Sequence, residues 1–268
     1  MHLDYPVFCR MVDELRDSLL FMLFWDWGEP FLHPRLLDMI EYVNRSQIMS
    51  VTSTNLSMKL NDRTIEKIVT CGLSHLIICI EGATQEVHES YRRGSQLNIV
   101  LDNFKRIVAA KNRFNSPYPM IEIRTLATRQ NETHLSQLLD LASDYGAQMY
   151  SVKTFRPFDY RGHNLDQHVV PTNKLLARYK YKNDVPSSAG RLLEEMKFNC
   201  GKPFYAPTLN SDGNLAFCSY VDQPEEIFGD IRESFSKVWD QGSSRLKRMD
   251  FGRLPLIKLF PPVDQARF

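Results

Sequence analysis

The residues best suited to chemistry follow the ends of apolar, strand-like segments. Gly28, Glu29 and Pro30 come shortly after the first of these segments. In parallel α/β proteins ligands bind at the carboxyl ends of the strands. Gly28 allows a tight turn and a close backbone approach, Pro30 stiffens that turn, and Glu29 supplies a carboxylate. The three residues predict a site for an ammonium group, although an ordinary loop with a solvated glutamate would have the same sequence.

Further polar residues occupy the same position on later segments. Ser53 and Asn55 end the second segment, Glu81 follows the third, and Arg124 lies on the fourth. Amide and carboxylate groups such as those of Asn55 and Glu81 suit ribose hydroxyls. The forked donors of Arg124 suit a carboxylate. Each residue alone is explained equally well as a helix cap or turn residue, but their recurrence at consecutive strand ends favours one shared site.

The order of apolar and amphipathic segments predicts an α/β fold. Strand-like runs alternate with helical patterns, which is typical of βα units. A helix with a wide apolar face precedes the first run, so we expect a further strand upstream and an open barrel of six strands lacking its first. The strand-like runs lie at about 20–25, 48–53, 75–80, 119–127 and 148–153.

Composition excludes several classes of partner. The chain has 268 residues, of which 43% are hydrophobic, and its 33 basic and 32 acidic residues leave a net charge of +1. This balance disfavours nucleic acid and membrane surfaces. We find no targeting leader. The longest apolar run is far shorter than the roughly 20 residues that a membrane span needs, so we expect a cytoplasmic protein. Five scattered cysteines predict reduced thiols rather than a disulfide framework.

Four motifs in order resemble the core of radical S-adenosylmethionine (radical SAM) enzymes. The resemblance runs from about residue 20 to 154 and implies a partial (β/α)6 barrel. It implies that Gly28, Glu29 and Pro30 contact the amino group of SAM. It also implies that Ser53, Asn55, Glu81 and Arg124 lie near the ribose or the carboxylate of SAM. The motifs are Gly28-Glu29-Pro30-Phe31-Leu32, Ser53-Thr54-Asn55, Ile78-Cys79-Ile80-Glu81-Gly82 and Tyr91-Arg92-Arg93-Gly94.

A second unit begins near Cys200. Asp212-Gly213 predicts a hairpin turn that brings Cys200 and Cys218 together. This pattern resembles the start of a SPASM domain, a small α+β extension that binds auxiliary iron–sulfur clusters, although two buried cysteines pinning a hairpin would look the same. The predicted division is a barrel core over residues 1–155, a connection over 156–199 and an incomplete SPASM-like domain over 200–268.

The chain also departs from the family. Radical SAM chemistry uses a [4Fe–4S] cluster held by Cys-x3-Cys-x2-Cys, and this sequence contains no such motif. Cys200 and Cys218 cannot complete a cluster that takes four ligands, and no cysteine follows Cys218. A missing N-terminal segment would explain both the absent strand and the absent cysteines, so we expect the chain as given to be inactive in reductive SAM cleavage.

The resemblance implies SAM and an iron–sulfur cluster as cofactors and radical modification of a substrate as the activity. A peptide or protein is the leading substrate, and residues 155–168 are the expected place of contact. Two other functions stay open: a cluster-free scaffold that binds SAM or a peptide, and an unrelated barrel enzyme with Glu29 and Glu81 as acid and base.

Overall fold

Five parallel strands form the sheet to which the candidate residues belong. The computed structural model describes residues 2–26, 28–154, 169–177, 202–216 and 227–244. The strands pair in the order β1-β2-β3-β4-β5, which confirms the predicted α/β class and the partial barrel. Their bounds are β1 Phe21–Leu23, β2 Met49–Thr54, β3 His75–Cys79, β4 Met120–Ala127 and β5 Met149–Thr154.

The helices agree with the amphipathic segments and have identifiable caps. The side chain of Asn61 accepts a hydrogen bond from the Thr64 amide at 2.8 Å, and Thr84 accepts one from Val87 at 3.4 Å. Such caps satisfy amides that the first helical turn leaves unpaired. A short 3-10 turn spans Pro30–Leu32. The α-helices are α1 Tyr5–Leu15, α2 Leu36–Arg45, α3 Asp62–Thr70, α4 Gln85–Tyr91, α5 Leu97–Arg113 and α6 Leu135–Asp144.

Helices α2, α3, α5 and α6 bury one face of the sheet. Successive strand residues point to opposite faces, so alternate apolar residues of β3 and β4 meet the apolar stripes of these helices. Burial of such side chains is the main stabilising contribution of the core. Its enclosed residues include Leu76, Ile78, Ile121 and Ile123 from the sheet and Ile40, Ile68, Phe104 and Leu138 from the helices.

The other face of the sheet is more polar and partly open. Strand register places Cys79 beside Arg124, and Arg124 beside Ser151. The same face also carries large apolar side chains on β1 and β2. Among them, Leu23 and Met49 are about half exposed. The sheet is therefore covered by helices on one side and presents polar groups on the other.

The chain divides into two compact units. One comprises Leu19–Lys182, and the other comprises Met1–Ser18 together with Asn183–Phe268. This division differs from the predicted boundary at residue 155, because helix α1 groups with C-terminal segments and not with the barrel. The amphipathic pattern of α1 predicted a buried face correctly but did not identify its partner.

The second unit contains a small antiparallel sheet. Its described elements are α7 Lys202–Tyr205, β6 Thr208–Leu209, β7 Asn214–Ala216, β8 Ile227–Asp230 and α8 Phe235–Asp240, and the strands pair in the order β6-β7-β8. The turn at Asp212-Gly213 is present, with a Gly213 φ of 89°. Within this unit Glu14 of α1 accepts hydrogen bonds from Ser234 and Ser236 at the start of α8. Hydrogen bonds from the start of α8 therefore help to hold α1 in the second unit.

Among the described residues, no helix combines the length and the hydropathy that crossing a membrane requires.

Candidate functional site

Glu29 joins the loop after β1 to the end of β2. Its Oε1 accepts hydrogen bonds from the Thr54 hydroxyl at 2.7 Å and the Phe31 amide at 3.3 Å, and its Oε2 accepts one from the Asn55 amide at 2.9 Å. The glutamate is thus not the solvated side chain of an ordinary loop. Three donors fix a carboxylate that still has acceptor capacity on Oε2, because each carboxylate oxygen can accept more than one hydrogen bond.

Gly28 and Pro30 shape the backbone around this carboxylate. Gly28 has a φ of 99°, a conformation that L side chains rarely adopt, so the turn itself requires glycine. A Cβ at this position would meet no atom within 4 Å, so close packing is not the reason for glycine. Pro30 starts the 3-10 turn that follows, where its missing amide donor costs nothing.

Asn55 belongs both to the Glu29 cluster and to a neighbouring cleft. Its Oδ1 accepts hydrogen bonds from the amide of Ser57 at 3.0 Å and from the Ser57 hydroxyl at 2.7 Å. These bonds orient the side chain and leave the amide NH2 group as an available donor. The cleft has a volume of about 430 Å³ and is lined by Asn55, Ser57, Tyr91, Arg92, Arg93, Gly94 and Ser95.

Glu81 reaches this cleft only through Arg92. Its side chain is 1% exposed, and its Oε1 accepts hydrogen bonds from Nε of Arg92 at 3.0 Å and from an Nη at 2.7 Å. Burial raises the pKa of Glu81, and the guanidinium of Arg92 opposes that rise. In this structure Glu81 is enclosed, pairs with Arg92 and does not line the cleft, and its expected ribose contact stays a prediction.

This arrangement also separates Glu81 from Glu29. The two carboxylates occupy different hydrogen-bond clusters, and only Glu29 contacts the end of β2 directly. The structure consequently gives no support to the acid–base pair of an unrelated barrel enzyme.

His88 ties the wall of the cleft to the end of β3. Its Nδ1 accepts a hydrogen bond from the amide of Glu81 at 3.3 Å, so its Nε2 carries the proton and donates to the Ser95 hydroxyl at 3.0 Å. Burial, with the nearby charge of Arg92, lowers the pKa of His88 to about 4, so the ring is neutral at pH 7. Gly82 packs beside the same helix, and a Cβ there would collide with the backbone nitrogen of His88.

Arg124 is occupied by a partner on its own strand. Its Nε donates to Oε1 of Glu122 at 2.8 Å and approaches the Ser151 hydroxyl at 3.4 Å. Arg124 therefore pairs with Glu122 and does not line the cleft, and its expected contact with a ligand carboxylate stays a prediction. Ser53 lies 3.3 Å from the Cys79 sulfur on the open face of the sheet, and its predicted place beside the cofactor stays a prediction.

Glu122 is the centre of this second cluster. Burial alone would raise its pKa, but hydrogen bonds from Arg124 and Ser151 outweigh burial and hold the pKa below the ordinary value of 4.5. His75 Nε2 lies 3.0 Å from Oε2 of Glu122 without hydrogen-bond geometry. Burial lowers the pKa of His75, so at neutral pH the cluster contains one carboxylate, one guanidinium and a neutral imidazole.

We expect Glu122→Gln to lower the free energy of unfolding by about 1.5–3 kcal/mol at pH 7, the usual contribution of hydrogen bonds to a charged group. A carboxylate with a depressed pKa stabilises the fold above its unfolded pKa and loses this contribution as the pH falls through its folded pKa. The difference from the original chain should therefore shrink below about pH 4.5. Urea unfolding across this range measures it, with the exposed Glu86→Gln as control; a difference independent of pH would contradict the assignment.

Sequence reasoning missed Asn103, which supports the loop after β2. Its Nδ2 donates to the carbonyls of Leu56 and Met58 at 3.0 and 2.6 Å, and its Oδ1 accepts from the amide of Leu60 at 3.3 Å. Asn103 is 1% exposed on α5. A polar residue inside the apolar stripe of a helix was the available signal, because buried amides occur where backbone groups need partners.

The predicted metal ligands lie outside the described residues. This applies to Cys200 and Cys218, and also to the expected substrate contacts in residues 155–168. Cys71 and Cys79 form no disulfide with any described residue. In the part of the chain that the structure describes, no group of three or more histidine, cysteine or acidic side chains could hold a metal ion.

The glutamate cluster and the cleft lie at the carboxyl ends of β1, β2 and β3 of a parallel, partial barrel, which is the class of fold that the structure defines. No protein-family model matches the chain. Curated relatives do: the AdoMet-dependent heme synthase of Methanosarcina barkeri is 24% identical over 273 residues, which is 90% of this chain and 74% of the relative. The mycofactocin maturase MftC of Mycobacterium tuberculosis is 23% identical over 139 residues, 52% of this chain and 34% of the maturase.

Solved structures agree on the fold. The enzyme anSMEcpe with bound AdoMet superposes with a TM-score of 0.60 at 13% identity, covering 95% of this chain and 75% of that enzyme. SuiB of Streptococcus suis bound to S-adenosylmethionine gives a TM-score of 0.61 at 13% identity, covering 91% of this chain and 60% of SuiB. The solved structures show that the fold is shared, and the curated relatives support the predicted resemblance to radical SAM enzymes with SPASM-type features.

Proposed function

We propose that this protein is a radical SAM/SPASM-type protein that binds SAM at the carboxyl end of the sheet, and that its substrate is a peptide or protein. The observation that supports this proposal most directly is the fixed carboxylate of Glu29, which accepts a hydrogen bond from the Asn55 amide. Asn55 in turn lines the cleft. In this proposal Glu29 Oε2 accepts a hydrogen bond from the ammonium group of SAM. The donors on Thr54 and Asn55 keep the carboxylate in place, so little reorganisation accompanies binding.

The described residues suit SAM better than they suit the iron–sulfur cluster that SAM would bind in this family. A pre-oriented carboxylate fits an ammonium group, and Asn55 adds an amide donor at the same edge. An iron–sulfur cluster supplies the electron for reductive SAM cleavage, and the described residues contain no ligand set for one. Because the sequence has no Cys-x3-Cys-x2-Cys motif, we propose that the 268-residue chain as given binds SAM without cleaving it.

A peptide substrate is supported by the neighbours. Solved structures show anSMEcpe with the Kp18Cys peptide and SuiB with its precursor peptide SuiA. The chain spans 60% of SuiB and 34% of the mycofactocin maturase. We extend the peptide substrate from those proteins to this one because the same fold presents an open, polar sheet face and a cleft at its edge.

We expect Glu29→Gln to weaken SAM binding by about 10- to 100-fold, since it removes a charge-assisted hydrogen bond worth roughly 1.5–3 kcal/mol. Isothermal titration of the purified chain with SAM measures the change. Glu86→Gln, on the exposed first turn of α4, is the matched control for a lost surface charge.

A second variant separates binding from folding. Thr54→Val removes one hydrogen bond to Glu29 and the acceptor of the Leu56 amide, so it should cost stability. It keeps the carboxylate and its bond from the Asn55 amide, so SAM binding should change by less than about fivefold. Equal binding by the original chain and Glu29→Gln would refute the assigned role of Glu29. Failure of the original chain to bind SAM would refute the proposed function.

A further inference from the structure

We propose that the cleft between Asn55 and Arg93 is a subsite for a carboxylate group, carried by an acidic residue of the peptide substrate. The juxtaposition that carries this inference is that one polar cavity is lined both by the guanidinium of Arg93, which has no ion pair among the described residues, and by Asn55, whose amide NH2 group is an available donor. The subsite stands on these residues alone, whereas its assignment to a peptide rests on the proposed function.

The lining of the cleft consists of donors and cations. Its described lining residues are two arginines, an asparagine, two serines, a tyrosine and a glycine, with no carboxylate among them. The positive charge of Arg92 is balanced by Glu81 behind the wall. Arg93 is exposed and forms no ion pair with any side chain that the structure describes. One net positive charge therefore remains in the cleft, and it is available to an incoming anion.

Both walls are held before any ligand arrives. On one side the Ser57 amide and hydroxyl fix Asn55. On the other side the Gln85 amide donates to the Ser95 carbonyl at 2.9 Å, and His88 bonds the Ser95 hydroxyl. These bonds reduce the entropy lost at Asn55 and Ser95 on binding, whereas the exposed Arg93 side chain becomes ordered only with the ligand.

The chemistry of Arg93 favours a carboxylate among small anions of a peptide. A guanidinium presents two parallel N–H donors that match the two oxygens of a carboxylate. The Asn55 amide, from the loop after β2, supplies a further donor in the same cavity. A cavity of about 430 Å³ accommodates a whole acidic side chain. The methionine carboxylate of SAM shares this chemistry, so the test must separate the two sources.

The test compares two neutral-backbone probes, N-acetylglutamate amide and N-acetylglutamine amide, whose binding to the full chain is measured by NMR titration. We expect the original chain to prefer the glutamate probe about tenfold, the scale of one charge-assisted interaction in a partly exposed site. Arg93→Gln should abolish this preference. Arg63→Gln, which removes an exposed arginine of α3 away from the cleft, should retain it.

Titration of the same variants with SAM distinguishes the two possible sources of the carboxylate, a peptide side chain and the methionine part of SAM. Unchanged SAM affinity in Arg93→Gln supports a peptide carboxylate. An equal loss of SAM affinity, with competition between SAM and the glutamate probe, would overturn the peptide assignment. Equal affinity of the original chain for both probes would overturn the subsite itself. If the preference persists but the original chain fails to bind SAM, the proposed function fails while the subsite stands.

Discussion

Replacing Arg92 with glutamine will lower the free energy of unfolding by about 3–5 kcal/mol, because it leaves a buried carboxylate without its counter-charge. Glu81 is 1% exposed, whereas the Arg92 side chain is 27% exposed. The reverse change, Glu81→Gln, should therefore cost less, since an unpaired Arg92 can turn toward water. Urea unfolding of both variants at pH 7 measures this asymmetry.

The effect of Arg92→Gln should depend on pH. Without the guanidinium, burial raises the pKa of Glu81 unopposed, so the folded variant binds a proton more readily than the unfolded chain. Protonation then stabilises the folded variant at low pH, and this contribution is lost as the pH rises through the folded pKa. The deficit should thus be smaller at pH 5 than at pH 8. The double variant Glu81→Gln with Arg92→Gln, which buries no charge, should recover much of the loss; equal deficits in all three variants would contradict the account.

Replacing Asn103 with leucine will lower the free energy of unfolding by about 3 kcal/mol, since three backbone groups lose partners worth roughly 1–3 kcal/mol each and can only partly turn to water. These groups are the carbonyls of Leu56 and Met58 and the amide of Leu60. Because the same loop begins with the residues that line the cleft, the change should also increase amide hydrogen exchange over residues 56–60.

A control on the same helix isolates the buried contacts of Asn103. Asn112 is exposed on α5, so Asn112→Leu should change stability by less than about 0.5 kcal/mol, as surface substitutions usually do. If Asn103→Leu behaved like Asn112→Leu, or left the exchange of residues 56–60 unchanged, the loop would not depend on this side chain.

The strands and the position of the site could be predicted from sequence because both follow from local patterns. Apolar runs separated by helical patterns identified β1 to β5, and Glu29 was expected in the loop after β1, where it lies. The role of Glu81 could not be predicted in the same way. Its partner Arg92 lies beyond α4, and only the packing of that helix against Gly82 brings the guanidinium to the carboxylate.

The sequence did not predict which side chains and segments contact one another in the folded chain. Arg124 was expected to meet a ligand, but Glu122 lies two positions earlier on the same face of β4 and pairs with it. Periodicity showed that α1 has a buried face, while the segment it packs with lies more than two hundred residues away. The ligand roles of Cys200 and Cys218 stay predictions.

The lack of space for a side chain at Gly82 limits which substitutions this part of the protein can tolerate. Any larger residue would push α4 outward as a rigid piece, and Arg92 and the loop behind it would move with the helix. Variation in ligand preference is consequently easier to acquire at Arg93, whose side chain is exposed and makes no ion pair with the described residues, than at the glycine that sets the helix's distance from the sheet. Directed evolution of this protein should therefore accumulate changes at position 93 and leave position 82 untouched.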